Sequence, residues 1–386
     1  MIPYSCQEIS EADIEAVVKV LRSEYLTQGP VVPAFEAAVA KFCGATFAVA
    51  VNSATSALHL ACLALGVGKG DVVWTSPISF VASANCALYC GAAIDFIDID
   101  PVTCNMSVEH LANKLKRAKL TGSLPKVVIP VHLSGQPCDM KAIHALRQEY
   151  GFGIIEDASH AIGASYYDEL IGSCRYSDIT VFSFHPVKII TTGEGGMALS
   201  NDLNLVEKMN LLRSHGIIRD PAKMTHEPDG PWYYQQIDLG FNYRMTDIQA
   251  ALGLSQLDRI DTYVFQRQRL ADRYDELFAK LPVIVPARNE FSRSSTHLYI
   301  IRLRLDQIKV SHHAVFSTLR AQDIGVNIHY IPIYRHPYYQ EMGFYGLGLT
   351  EAERYYDSAI SLPLFPALSN ADQEKIADCL RIALCG

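Results

Sequence analysis

The sequence predicts an α/β fold, with a large unit built on a mostly parallel, doubly covered sheet and a smaller α+β unit after it. Between about residues 45 and 200, short β-branched runs alternate with helical patterns, which is typical of βαβ units. From about residue 203 to 280 the pattern is helical, and strands return only afterwards. The 386 residues also exceed the roughly 250–300 that one core usually holds. We therefore expect two domains, residues 1–255 with the N-terminal segment included, and residues 256–386.

The large unit begins with a buried strand, FAVAVN (about residues 47–52), which runs into the helix ATSALHLACLAL. Further apolar runs of strand length then alternate with amphipathic runs of helix length. The remaining strands are predicted at DVVWTS, AAIDFID, KVVIPVHL, GIIEDA, DITVFSFH and GMALS, and the helices between them at VASANCALYC, VEHLANKLKRA and MKAIHALRQEY.

The second half of the chain begins with the helix VEKMNLLRSHG and one long amphipathic helix, TDIQAALGLSQLDRIDTYVFQRQRLADRYDELFAKL. We expect this long helix to join the two units. The smaller unit follows as the strand HLYIIRLRL, the helix HHAVFSTLRAQ, the strand VNIHYIPIY and the closing helix ADQEKIADCLRIALC.

Composition narrows the possible partners. The formal net charge of −8 argues against a nucleic-acid or anionic-membrane binder, so a phosphate-bearing ligand must be held by local donors. The ten cysteines form no CxxC pair and lie mostly in apolar runs, which is typical of reduced core cysteines and of the cytoplasm. The thirteen histidines lack metal-ligand spacing, and the N-terminus lacks a signal-peptide pattern. We expect a cytoplasmic protein without a metal or a membrane span.

Polar side chains follow several of the predicted strands. Asn52 and Ser53 follow the first strand, Ser76 follows the second, Asp157 ends GIIED, and residues 183–188 follow DITVF. Because ligands bind at the carboxyl ends of parallel strands, these residues predict one shared site.

The segment FSFHPVKIITTGEGG (residues 182–196) places Lys188 in an apolar loop after a buried strand. A loop with little water lowers the pKa of a lysine, and a neutral amine is what Schiff-base chemistry needs. Gly193, Gly195 and Gly196 allow the backbone to approach a flat cofactor closely. The alternative is that TTGEGG is only a tight turn between strands.

Asp157, in IIEDASHAIGA, lies where an apolar strand reaches the expected cleft. A carboxylate there needs a partner, and the protonated pyridine nitrogen of pyridoxal 5′-phosphate (PLP) is one that electron-sink enzymes use. The alternative for Asp157 is a helix N-cap. His160 lies on the pyridine ring or is a core histidine.

The turn VNSATSALHLA offers free backbone N–H groups and hydroxyls at a helix start, which suits a phosphate. The alternative is an ordinary Ser/Thr cap. The segment lacks the GxxxxGK[ST] pattern of a P-loop and the GxGxxG pattern of a dinucleotide-binding turn.

These motifs and GFNYRMTDIQAALG occur in an order that resembles the sugar aminotransferases of PLP fold type I, the DegT/DnrJ/EryC family. The resemblance runs from YLTQGPVVPAFEAAVAKFCGA through HYIPIYRHPYY to SLPLFPAL. It implies an αβα large domain with a mainly parallel seven-stranded sheet, a smaller α+β C-terminal domain, and a homodimer with shared active sites. The implied cofactor is PLP, which becomes pyridoxamine 5′-phosphate (PMP) during turnover.

The resemblance also implies residue roles. Lys188 holds the cofactor as a Schiff base and moves the proton, and Asp157 keeps the pyridine nitrogen protonated. Phe80 stacks on one face of the ring, with His160 near the other. The phosphate is held by the backbone of Ala54 and Thr55, the hydroxyl of Ser183 and Asn242 of the partner subunit. Ala54 departs from the glycine common in that turn.

Within the family, IPYSCQ, LTQGP, VHLSGQPCDM and NIHYIPIYRHPYY resemble members acting in pseudaminic acid biosynthesis. These members transfer the amino group of L-glutamate to C4 of UDP-2-acetamido-2,6-dideoxy-β-L-arabino-hex-4-ulose. The product is UDP-4-amino-4,6-dideoxy-N-acetyl-β-L-altrosamine. The implied substrate contacts are Tyr4, Thr27, His329 and Tyr330, together with Arg244, which reaches the substrate across the dimer interface. The alternative for these residues is ordinary packing.

Other readings stay open. Sugar dehydratases of the family carry a histidine where this sequence has Lys188, which favours transamination. Another nucleotide-linked keto-sugar (a dTDP-, GDP- or UDP-4-ulose, or a 3-keto sugar) would fit the same motifs. A non-catalytic, PLP-binding regulatory dimer is the remaining alternative.

Overall fold

The computed structural model describes residues 1–385. Two helices that the sequence analysis did not predict precede the first strand, and then strands and helices alternate as expected. The strands of this half are β1 (Phe47–Val51), β2 (Val72–Thr75), β3 (Ala93–Phe96), β4 (Val127–Ile129), β5 (Gly153–Asp157), β6 (Ser165–Tyr166), β7 (Glu169–Leu170), β8 (Ile179–Ser183) and β9 (Gly196–Ser200). The helices are α1 (Glu11–Leu21), α2 (Val31–Cys43), α3 (Ala54–Ala64), α4 (Ala82–Tyr89), α5 (Val108–Thr121), α6 (Met140–Tyr150) and α7 (Leu203–Arg213).

The second half of the chain contains shorter strands and six more helices among the described residues. The strands are β10 (Ile217–Ile218), β11 (Gln235–Gln236), β12 (Val283–Ile284), β13 (Ser292–Arg293), β14 (Tyr299–Leu303) and β15 (Ala359–Leu362). The helices are α8 (Asp247–Leu257), α9 (Ile260–Phe278), α10 (His312–Ala321), α11 (Pro337–Glu341), α12 (Thr350–Tyr356) and α13 (Asn370–Cys385).

Seven strands form the main sheet, in the order β1-β9-β8-β5-β4-β2-β3. Strand β9 is antiparallel to both of its neighbours, and the other adjacent pairs are parallel. The predicted mainly parallel seven-stranded sheet is confirmed. Its central strands are almost wholly buried, and in β8 all five residues are buried, because helices cover both faces.

Two apolar cores lie on the two faces of this sheet, and a third lies in the C-terminal part of the chain. Helices α2, α5, α6 and α8 contribute to one face, and helices α3, α4 and α7 to the other. Helix α9 belongs to two cores: Ile260, Tyr263 and Val264 pack into the first, whereas Leu270, Tyr274 and Phe278 pack into the third, with β14 and α13. The boundary between residues 255 and 256 stays a prediction.

The long helix predicted from residue 246 to 281 is wrong as one element. Helix α8 ends at Leu257, and α9 begins at Ile260. Between them Arg259 has φ −110° and ψ 7°, outside the helical region, and its guanidinium binds the buried Asp13 carboxylate at 2.7 and 2.8 Å. No Gly or Pro lies at this break, so the local sequence gave no signal for it, and the residue there contacts a carboxylate far away in the sequence.

The strand predicted at VNIHYIPIY is also wrong. This segment makes a single β-bridge, between Asn327 and Ser361, and then a short 3₁₀ turn at Ile333–Arg335. Pro332 has no amide hydrogen to give to a strand ladder. No helix within residues 1–385 combines the length and apolarity that a membrane crossing requires.

Candidate active site

A cavity of about 530 Å³ opens at the carboxyl ends of β5 and β8, a volume typical of small-molecule sites. Ten of the thirteen residues singled out from the sequence line this cavity. They are Tyr4, Ala54, Thr55, Phe80, Asp157, His160, Ser183, Lys188, His329 and Tyr330.

Asp157, the last residue of β5, is buried and receives three hydrogen bonds. The Ser83 hydroxyl donates to Oδ2 at 2.6 Å, and the Ser159 hydroxyl and amide donate to Oδ1 at 2.6 and 3.2 Å. The Ser79 and Ser83 hydroxyl oxygens are also 2.6 Å apart. Since a carboxylate only accepts hydrogen bonds, Ser83 donates to Asp157 and accepts from Ser79. A carboxylate has about four acceptor positions, so one remains for a ligand.

Lys188 lies in the loop that leaves β8 and lines the cavity. Burial lowers the pKa of Lys188 to about 8, although the nearby Asp157 carboxylate opposes this shift. The site therefore contains a lysine that loses its proton near neutral pH, as a carbonyl nucleophile requires. The N-terminal segment contacts the same loop, where the Ser5 hydroxyl donates a hydrogen bond to the Val187 carbonyl oxygen at 3.2 Å.

The start of helix α3 forms a donor group at the other side of the cavity. The first amides of a helix have no carbonyl partner inside it. The Ser53 hydroxyl oxygen accepts a hydrogen bond from the Ser56 amide, and the Ser53 carbonyl oxygen accepts one from the Ala57 amide. The amides of Ala54 and Thr55 are therefore the two that remain for a ligand. A side chain at Gly196 would lie 2.5 Å from the Ala54 nitrogen, which means that β9 passes directly against this helix end.

His160 and Tyr330 form a pair in the cavity wall. The Ser134 amide donates to His160 Nδ1 at 3.2 Å, and His160 Nε2 lies 3.1 Å from the Tyr330 hydroxyl oxygen. The two rings are nearly parallel, with an interplanar angle of 21°. Burial, followed by the charges of Lys188 and His329, holds the pKa of His160 well below its usual value.

Aromatic rings line the remaining wall. The Phe80 side chain is 59% exposed, and its ring lies 6.3 Å from that of Tyr330. Tyr4 lies 5.4 Å from His329, whose Nδ1 pairs with the Ser361 hydroxyl at 2.8 Å. Burial and the Lys188 charge lower the pKa of His329 to about 4, so this imidazole is neutral at pH 7.

Thr27, Asn242 and Arg244 do not line the cavity of their own chain. Each makes one isolated β-bridge, Thr27 with Thr246, Asn242 with Ser214, and Arg244 with Val51. Asn242 is exposed. The expectation that Asn242 and Arg244 serve a partner subunit stays a prediction.

Four residues of this site were not predicted from the sequence: Ser79, Ser83, Ser159 and His297. Ser79 and Ser83 lie on either side of Phe80 in the chain, but Ser79 precedes helix α4, which begins at Ala82, so helical spacing gave no signal for this pair. His297 is buried, lines the cavity and lies 4.5 Å from the His160 ring. Nothing in its local sequence pointed to the cavity. No group of three or more His, Cys, Asp or Glu side chains within residues 1–385 is arranged to hold a metal ion.

These residues fit PLP. The cavity brings together an amine of lowered pKa, a carboxylate with an unused acceptor position, and a helix N-terminus with free amides. The three groups match the cofactor's aldehyde, its pyridine nitrogen and its phosphate.

Sequence comparison places this chain among known proteins. The model of the DegT/DnrJ/EryC1/StrS aminotransferase family matches residues 7–381. The chain is 38% identical over 383 residues to spore coat polysaccharide biosynthesis protein SpsC of Bacillus subtilis (strain 168), covering 98% of this chain and 96% of that protein. It is 37% identical over 382 residues to the UDP-4-amino-4,6-dideoxy-N-acetyl-beta-L-altrosamine transaminase of Campylobacter jejuni subsp. jejuni serotype O:2, covering 98% and 96%.

Structural comparison agrees. Helicobacter pylori PseC, an aminotransferase involved in the biosynthesis of pseudoaminic acid, matches with a TM-score of 0.90 and 32% identity over 99% of both chains. Spr1654 from Streptococcus pneumoniae has been solved in a PLP form and a PMP form. The PLP form matches with a TM-score of 0.88 and 30% identity over 99% of this chain and 98% of the other.

Proposed function

The chain belongs to the DegT/DnrJ/EryC1/StrS aminotransferase family, a family of PLP-dependent sugar aminotransferases. On this basis we propose the following reaction and substrates. The amino group of L-glutamate is transferred to C4 of UDP-2-acetamido-2,6-dideoxy-β-L-arabino-hex-4-ulose, giving UDP-4-amino-4,6-dideoxy-N-acetyl-β-L-altrosamine. The observation that carries the reaction type is Lys188, whose lowered pKa and place opposite Asp157 in one cavity suit transamination.

PLP, when bound, supplies a ring that accepts the electron pair released at a substrate carbon. Lys188 Nζ binds the cofactor covalently between turnovers. In each half-reaction the same amine takes a proton from one carbon and returns it to another. Asp157 holds the proton at the ring nitrogen, and its three serine-derived hydrogen bonds fix the carboxylate for that role.

The remaining cavity residues bind and orient. The amides of Ala54 and Thr55 and the hydroxyl of Ser183 bind the phosphate, together with Asn242 of the partner subunit. Phe80 and His160 flank the ring and exclude water. Tyr4, Thr27, His329 and Tyr330 contact the sugar or the nucleotide, and Arg244 contacts the substrate across the subunit boundary.

The transaminase activity of the Campylobacter jejuni relative and the involvement of Helicobacter pylori PseC in pseudoaminic acid biosynthesis support the choice of the UDP-linked ulose. The competing substrates to include in the assay are dTDP- and GDP-linked 4-uloses.

We further propose a homodimer with shared sites. Trp232 and Leu239, which are 74% and 77% exposed, lie in the segment that leads to Asn242, and apolar surface of this kind suits a subunit contact. The ten cysteines are unpaired, which suits the reducing cytoplasm.

The experiment follows the visible absorbance of the bound cofactor. L-glutamate should bleach it in a stoichiometric half-reaction, and the UDP-linked ulose should restore it while dTDP- and GDP-linked 4-uloses do not. Failure to bleach would leave the regulatory dimer as the better reading, and restoration by another sugar alone would replace the substrate. Borohydride should fix the cofactor at Lys188, as peptide mapping would show, and labelling elsewhere would refute the proposed site.

A further inference from the structure

The hydrogen bonds around His160 fix the position of its proton. A backbone amide can only donate, so the bond from Ser134 to Nδ1 requires a lone pair on that nitrogen. His160 is 5% exposed, and burial keeps it neutral. A neutral imidazole with an unprotonated Nδ1 carries its single proton on Nε2.

This tautomer fixes the direction of the next bond. The Nε2–H of His160 donates to the Tyr330 hydroxyl oxygen at 3.1 Å, so the hydroxyl hydrogen of Tyr330 cannot point back at His160. Burial and the nearby Asp157 carboxylate raise the pKa of Tyr330, so the hydroxyl keeps its hydrogen at neutral pH. His160 is the one partner of this hydroxyl among residues 1–385. The hydrogen is therefore available to a ligand in the cavity.

The surroundings favour a sugar oxygen as the acceptor. The cavity lining near Tyr330 includes Tyr4 and Phe80, and within residues 1–385 the one Lys or Arg side chain that lines the cavity is Lys188, which holds the cofactor. Aromatic walls with neutral donors suit a polyol ring, whereas the carboxylates of glutamate need cations.

We propose that Tyr330 is a one-way hydrogen-bond donor to an oxygen atom of the bound keto-sugar, held in that orientation by His160 and the amide of Ser134. This inference rests on the proposed function, which supplies the sugar. Tyr330 contacts the substrate, and His160 acts through Tyr330 as a positioning residue.

The two half-reactions test the role of the hydroxyl separately. In Tyr330→Phe, kcat/KM for the keto-sugar should fall about tenfold, the value of one hydrogen bond, while the glutamate half-reaction stays within about twofold. The matched control is Tyr334→Phe, because Tyr334 bonds to Glu353 and lies outside the cavity. It should leave both half-reactions unchanged.

Equal losses in both half-reactions of Tyr330→Phe would overturn the inference, because the hydroxyl would then serve the cofactor or the fold. Unchanged sugar kinetics would overturn it as well. If the unaltered protein fails the glutamate half-reaction, the proposed function fails, and a second measurement still tests the proton positions.

In neutron diffraction of the cofactor-free protein, a deuteron should appear on His160 Nε2 and none on Nδ1. A deuteron on Nδ1 would refute the arrangement.

Discussion

At the scale of single residues, the reactivity of the site depends on how water is excluded from the amine of Lys188. A lysine with an ordinary pKa of 10.5 is almost fully protonated at pH 7, whereas burial brings the pKa of Lys188 to about 8. Roughly a tenth of the protein then carries the neutral amine at pH 7.

The pH dependence of cofactor capture follows from this pKa. The cofactor-free protein should bind PLP covalently at a rate that rises with pH up to about 8 and is level above, because the protonated amine cannot attack an aldehyde. Stopped-flow absorbance measures this rate. Lys188→Ala should show no covalent phase at any pH. A rate still rising steeply at pH 10 would mean that the amine is not desolvated.

A second residue-scale prediction concerns Ser83, which is fully buried against Asp157. Ser83→Ala should lower kcat by about tenfold, because the carboxylate loses one of its three donors. Ser79→Ala should have a smaller effect, because Ser83 still donates to Asp157 without it. Steady-state kinetics and the PLP dissociation constant measure both variants. A larger loss in Ser79→Ala would contradict the direction of this hydrogen-bond chain.

At the scale of elements, the phosphate donors depend on contact between strand β9 and the start of helix α3. Gly196→Ala would place a Cβ 2.5 Å from the Ala54 nitrogen and the Ser53 carbonyl carbon, and backbone atoms cannot yield as a flexible side chain does. We expect PLP affinity to fall by about tenfold or more, since the helix start must move from its ligand.

The control for Gly196→Ala is Gly68→Ala, because a Cβ at Gly68 meets nothing within 4 Å. It should leave PLP affinity unchanged. Fluorescence titration of the cofactor-free variants compares the two. If Gly196→Ala binds PLP as the unaltered protein does, the amides of Ala54 and Thr55 are not the phosphate donors.

At the scale of the whole molecule, the proposed dimer makes a prediction about mixed subunits. Lys188→Ala and Asn242→Asp should each be inactive alone, the second because a carboxylate would repel the phosphate. In a mixed dimer one site has both Lys188 and the partner's Asn242 intact. The isolated mixed dimers should therefore regain about half of normal activity.

The matched control mixes Lys188→Ala with Asp157→Ala, two residues that line the cavity of one chain. Neither site of that mixed dimer is complete, so activity should stay absent. Co-expression with two affinity tags isolates the mixed dimers for assay. Recovery in the control, or none in the first mixture, would exclude sites shared in the proposed way.

The sequence by itself determined the alternation of strands and helices, the family, and the residues that sit at strand ends. Asp157 and Lys188 could be singled out because the first ends a buried strand and the second lies in the loop after another, and the ends of parallel strands converge. Hydrophobic periodicity is a local property, so it also predicted β14 and α13 correctly. It failed at residues 326–334, where Pro332 and a single bridge to Ser361 replace a strand.

Only the tertiary structure decided which sequence-distant groups meet. The carboxylate of Asp247, in the motif TDIQAALG, accepts hydrogen bonds from the amides of Gly29, Val31 and Val32 at the start of helix α2. These partners are more than 200 residues away in the sequence. Ser83 reaches Asp157, and Tyr330 reaches His160, in the same way. Such hydrogen bonds depend on strand order and on how helices pack over the sheet, and no local pattern of residues encodes either.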